Sequence, residues 1–329
     1  MHFLHPSVLA RMRRGGLRCI AGPFRNVGSG LMGLALAALG LIESDRALAQ
    51  SGAGSNAGAG ESLVAVRVVS LNPSLTEMLI AMDAVCVLVG VDDYSAREQP
   101  EVRSLPRVGG LFNPSLEGVV ALEPELVLMV PGAQQRDLAD RLRRLGITVL
   151  ELSNIRIEDL LNSIEILGNR VGRADTARRQ VARIRRAWQA VEKATAPYPR
   201  VRAVLVLDRD PLFIVGRGSF LDEMLRAAGG ENVAAVFSDP YPRATIEWLI
   251  ATAPQVILDA TDDPEDPLRY WSRWPSLPAV VDRRAIAISP AVLRPGPYLD
   301  RSLRSLAEAL HGPGVLAAVD GGPEPSGAP

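Results

Sequence analysis

The residues best placed to do chemistry in this sequence are carboxylates. Glu117 and Glu247 hold the same position in two stretches that match residue for residue, Leu116 to Leu128 and Ile246 to Leu258. Each stretch has an apolar residue, the Glu, a short apolar helix, a Pro seven residues after the Glu, and a strand. Each also follows a Pro-containing loop with an aromatic, Phe112-Asn113-Pro114 in one and Pro240-Tyr241-Pro242 in the other. A glutamate in the first turn of a helix gains about 0.3–1 kcal/mol from the helix dipole, which suffices to explain either residue alone. The pair also suits docking, because two related lobes would present one acid each on a shared surface. Asp92-Asp93 and Asp262-Asp263 are further pairs with the composition for acid–base work, or simply solvated turn acids. Histidine chemistry is nearly excluded. Of three histidines, His2 and His5 precede residue 50 and only His311 follows, too few for an imidazole metal site.

These residues need elements to hold them. The 329 residues are 47% hydrophobic and 22% charged, enough for two domains after a leader. Arg11, Arg13, Arg14, Arg18 and Arg25 precede an apolar run, Leu31 to Ile42, which is too short to span a bilayer. Ala47-Leu48-Ala49 then supplies small residues for signal cleavage after Ala49. A retained membrane anchor is the alternative. Residues 50–329 carry 30 basic and 35 acidic side chains, a net charge of −5 that leaves no footprint for nucleic acid. Cys86, the cysteine left in that span, falls in an apolar run and is expected to be a buried thiol.

Residues 50–63 are a Gly/Ala/Ser tether. From 64 to 172 strands alternate with helices: strands at 66–71, 85–89, 126–130 and 148–152, with helices between and after them, and 92–106 as a polar loop. Residues 173–195 form the longest helical run without Gly or Pro, with Val181, Ile184, Trp188 and Val191 on one stripe. It reads as a stiff spacer. From 196 to 312 the alternation restarts, and 313–329 reads as a disordered tail. The expected fold is α/β: two three-layer lobes joined by one long backbone helix, with a ligand cleft between them.

Several segments resemble the periplasmic solute-binding proteins of the vitamin B12 and iron–siderophore type. They are Val69-Ser70-Leu71-Asn72-Pro73-Ser74-Leu75-Thr76-Glu77, Val89-Gly90-Val91, Val108-Gly109-Gly110, Leu122 to Val127, Ala228 to Val233 and Arg294-Pro295-Gly296-Pro297. The resemblance implies ligand binding between lobes, in the periplasm, by a monomer that is not an enzyme and has no cofactor of its own. It also implies docking of Glu117 and Glu247 to arginines of an ABC-type permease. Pro240-Tyr241-Pro242-Arg243 is similar to a Pro-Trp-Pro segment of the B12 binders, with Tyr241 in place of the tryptophan. By this resemblance the ligand is a corrinoid, and Asn72, Tyr94, Gly110, Leu111, Phe112, Phe213, Tyr241, Arg243 and Arg294 are its candidate contacts. Leu111 stands near where an aromatic is expected, and Tyr298 where the wider family often has Arg. A ferric siderophore or haem is the alternative ligand. Arg243 would then meet anionic groups, or pair with Asp239, and Tyr94 would be a haem ligand. A secreted enzyme using the Asp pairs is the alternative of another class.

Overall fold

The apolar runs assemble into two parallel sheets, and residue alternation explains how each is covered. The computed structural model describes residues 66–132 and 135–317. The proposed leader and the tether lie outside these residues.

In the first lobe the strands are β1 (Val68–Ser70), β2 (Leu88–Val91), β5 (Leu126–Met129) and β6 (Thr148–Glu151). They lie in the order β2-β1-β5-β6, all parallel. Val68, Leu126 and Leu128 face one apolar core, while Val69, Val127 and Met129 face another on the opposite side. A sheet buried on both faces needs helices on both, which is why these strands read as continuous apolar runs. Helix α1 (Pro73–Ala81) and α5 (Ile157–Arg170) cover the first face; α3 (Leu116–Val120) and α4 (Arg136–Arg144) cover the second.

The second lobe repeats this order. Strands β7 (Val201–Arg209), β9 (Gly230–Asn232), β10 (Val256–Asp259) and β11 (Ala285–Ala287) lie as β9-β7-β10-β11, again all parallel. An extra strand, β8 (Leu212–Ile214), folds back antiparallel on the end of β7. Ala203, Leu205, Val256 and Leu258 face the first core; Val204, Val206 and Ile257 face a separate one that holds Trp271.

The internal echo extends to backbone detail. Glu123 and Ala253, each just before a proline, both take positive φ, 47° and 50°. Arg67 donates to the carbonyls of Leu122 and Glu123, and Arg202 donates to the carbonyl of Thr252. Each guanidinium closes the end of an equivalent helix, α3 or α8 (Ile246–Thr252), where the last carbonyls lack partners.

Helix α6 (Ala174–Thr195) has 22 residues and runs about 33 Å. It is not a free-standing spacer. Val181, Ile184 and Val191 are buried in a core that also contains Leu160 and Leu75 from the first lobe and Met224 and Leu303 from the second. Helices α7 (Phe220–Ala227) and α11 (Leu299–His311) complete that core.

Three expectations are corrected. Residues 85–87 form a 3-10 turn before β2, and Cys86 is exposed rather than buried in a strand. The stretch read as a polar loop contains helix α2 (Asp93–Glu98), capped by Asp92. Residues 313–317, read as the start of a disordered tail, fold back and bury Val315 and Leu316. Two apolar side chains inside a Gly/Pro-rich segment are enough to seat it on the core.

Candidate functional site

In open parallel sheets ligands bind beyond the carboxyl ends of the strands, where the strand order reverses. Both lobes have that reversal, at β1 in one and β7 in the other. The residues at those ends decide what the site can do.

In the first lobe, Asn72 follows β1 and caps α1. Its Oδ1 accepts the Ser74 N–H at 3.0 Å, so the side chain named as a ligand contact is already used in a cap. Asp92 follows β2 and is fully buried. Its Oδ1 accepts the N–H groups of Tyr94 and Ser95, and its Oδ2 accepts the Ser95 hydroxyl at 2.5 Å. The Ser95 hydroxyl also reaches Thr76, and Thr76 donates to Ser70. Burial pushes the Asp92 carboxyl above its usual range, opposed by the bonds from Ser95 and Tyr94. This carboxylate holds a helix in place, and Asp93 beside it is exposed, so the two do not form an acid–base pair. In the other aspartate pair both residues are exposed, and Asp263 is in structural use. Asp263 accepts the Glu265 N–H and lies 3.5 Å from Arg209.

The Asp92 cap presents Tyr94, which is 42% exposed. The Arg97 guanidinium lies over it, 4.6 Å from the ring centre. Next to this stands a hairpin of β3 (Gly109–Gly110) and β4 (Asn113–Pro114). Leu111 and Phe112 form its tip. The Leu111 carbonyl accepts from Gln135, its side chain is half-buried, and Phe112 is 70% exposed.

In the second lobe, Phe213 on β8 pairs with Arg243 in an antiparallel bridge. Directly paired residues share a face, and Tyr241 lies two residues before Arg243 in the bend that leads into the bridge. Phe213, Tyr241 and Arg243 are all exposed, two aromatic rings and a cation on neighbouring segments. The Pro240–Pro242 loop can lie this close because residue 216 is glycine; a Cβ there would run into the Asp239 carbonyl and the Pro242 ring. Burial around the Tyr241 hydroxyl raises its pKa, opposed by a hydrogen bond with Ser219. Arg243 does not pair with Asp239, whose carboxylate accepts the Tyr241 N–H instead. Arg243 also borders a cavity of about 540 Å³ lined by Leu212, Tyr270 and Trp274, with Glu247 on its rim.

Four candidate rings, Tyr94, Phe112, Phe213 and Tyr241, are thus left exposed by the fold, and none of them stacks on another ring among the described residues. Glu117 and Glu247 are exposed in the first turns of α3 and α8, capped by Ser115 and Thr245. No helix among the described residues is long and apolar enough to cross a membrane.

The lobes meet along two seams. The Phe220 N–H donates to Ile155 O at 2.7 Å, and Glu223 accepts from Arg156 and the Ile157 N–H. At the other seam Arg294 lies 3.7 Å from Glu98. Neither Glu98 nor Glu77, which also faces Arg294, stood out in the sequence as a site residue.

This arrangement of two parallel sheets about one long helix has known counterparts. The family described as periplasmic binding protein matches residues 68–288. The chain belongs to that family. It is 29% identical over 218 residues to the vitamin B12-binding protein of Salmonella typhi, covering 66% of this chain and 81% of that one. The fold is similar to that of the periplasmic vitamin B12-binding protein BtuF of Vibrio cholerae, with TM-score 0.67, 23% identity, and coverage of 75% and 97%. It is equally close to the periplasmic heme-binding protein RhuT of Roseiflexus sp. RS-1, with TM-score 0.66, 25% identity, and coverage of 75% and 98%.

Proposed function

We propose that this periplasmic binding protein captures a corrinoid between its lobes and delivers it to an ABC-type permease. The observation that carries the reading is the exposure of Tyr94, Phe112, Phe213 and Tyr241 around the strand ends. Exposed rings on short loops cost solvation unless they meet an apolar surface, and a corrin is a large flat ring with an apolar face. Its amide rim takes hydrogen bonds from loop N–H groups. The similarity to vitamin B12-binding proteins supports the same ligand class. The protein acts in the periplasm after cleavage of its leader, with Glu117 and Glu247 docking the two lobes to the permease. Ligand is released as the permease parts the lobes and removes the contacts of one wall.

The test is titration of the purified mature protein with cyanocobalamin, a ferric siderophore and haemin. Cyanocobalamin is expected to bind most tightly, and Tyr241→Ala to weaken it about tenfold without unfolding the chain. Glu117→Gln with Glu247→Gln is expected to abolish uptake in cells while leaving ligand affinity unchanged. Preference for another ligand, or uptake that survives the double substitution, would remove this reading. A second reading, haem, is favoured by the guanidinium of Arg97 over Tyr94. That contact would suit a phenol oxygen bound to ferric iron.

A further inference from the structure

The arginines at the seam of the two lobes are exposed but already engaged, because a glutamate lies between them. Arg97 Nε donates to Glu98 Oε1 at 2.9 Å, and Arg294 Nη2 lies 3.7 Å from Glu98 Oε2. One carboxylate therefore serves two cations, one from each lobe. Arg294 is set in place from behind. Arg183 donates to the Pro297 carbonyl at 2.9 Å and pairs with Asp300 at 3.3 Å. A Cβ at Gly296 would fall 2.7 Å from Glu77 Oε2, so the arginine's own loop is pressed against a second carboxylate of the first lobe. Glu77 is half-buried and faces Arg294. The two cations and two anions cancel. The side chains of Glu98 and Arg294 are 41% and 45% exposed, so an incoming ligand can reach both.

We propose that Glu98 is a resident competitor that sets the ligand class of the cleft. A ligand with a neutral amide rim enters without disturbing it; a ligand with carboxylates gains Arg97 and Arg294 only by displacing it. The inference rests on the proposed site between the lobes and goes further, since it assigns the preference for neutral over anionic rings to one residue. Exposed pairs of this kind are individually weak, so the effect expected is a shift in selectivity.

The experiment compares the wild-type mature protein with Glu98→Gln and with Glu101→Gln. The latter removes the same charge from an exposed neighbour that forms no ion pair among the described residues. In Glu98→Gln, haemin is expected to bind roughly threefold to tenfold more tightly, with cyanocobalamin within about twofold of wild type. Glu101→Gln should leave both unchanged, and the haemin gain should shrink at about 0.5 M salt. A second arm needs neither ring. Succinate is titrated while the Nε–H resonances of Arg97 and Arg294 are followed, and both should respond at lower succinate in Glu98→Gln. Equal haemin affinity in wild type and Glu98→Gln, an equal shift in Glu101→Gln, or an unchanged succinate response would each overturn the inference. Failure of wild type to bind either ring would sink the functional reading, while the succinate arm would still decide the role of Glu98.

Discussion

A single histidine shows how local surroundings set a charge state. His311 ends α11 with Nε2 3.1 Å from the Ala228 carbonyl and its ring 5.3 Å from that of Tyr198. Burial lowers its pKa first, the Ala228 carbonyl opposes this, and the charge of Arg284 lowers it further. The folded chain therefore prefers the neutral ring, while the unfolded chain takes up a proton near pH 6.5. This group's contribution is complete above that value and is lost as pH falls through it. The drop in melting temperature from pH 7.5 to pH 5.5 should be smaller in His311→Gln than in wild type, as calorimetry would show. Asp92 is a buried carboxyl shifted the other way, upward, by burial, and held by three donors of the helix it caps: the N–H groups of Tyr94 and Ser95 and the Ser95 hydroxyl.

At the scale of elements, α3 and α8 are built alike. Ser115 accepts the Gly118 N–H at 3.0 Å, and Thr245 accepts the Trp248 N–H at 3.2 Å. Each cap fixes the helix start that presents Glu117 or Glu247. Ser115→Ala and Thr245→Ala should each cost about 1 kcal/mol in urea denaturation. The losses should add in the double variant, because the caps lie in different lobes and share no partner. The surroundings differ, however: Glu247 borders an aromatic cavity, while Glu117 accepts a bond from the Ser115 hydroxyl.

At the scale of the molecule, the shared core makes the two lobes one cooperative body. Ile184 of α6 is 1% exposed among residues of both lobes. Ile184→Ala should cost about 2–5 kcal/mol and lower one transition without splitting it. The four tryptophans lie on α6 or in the second lobe, so their fluorescence reports on that part, while circular dichroism reports on all helices. Coincident curves from the two probes would bear out the single transition; separated curves would show lobes that unfold apart. If delivery parts the lobes as proposed, a continuous core is expected to make that opening stiff, since it must disturb packing around α6.

Local patterns in the chain carry local structure. Alternating apolar runs marked β1, β5 and β10, a helical stripe marked α6, and matched Glu-to-Pro spacings marked α3 and α8 as copies. These signals lie within a few residues of one another, where backbone periodicity acts. The order of the strands, the pairing of β9 with β7, the exposure of Cys86 and the burial of Val315 and Leu316 came only with the tertiary structure. So did the grip of Glu98 on Arg294 and of Arg209 on Asp259 at 2.9 Å. Such partners sit far apart along the chain and meet only once the lobes close on each other, as Glu98 and Arg294 do, or once strands pair, as β7 and β10 bring Arg209 to Asp259, and no short-range periodicity encodes an encounter of that kind.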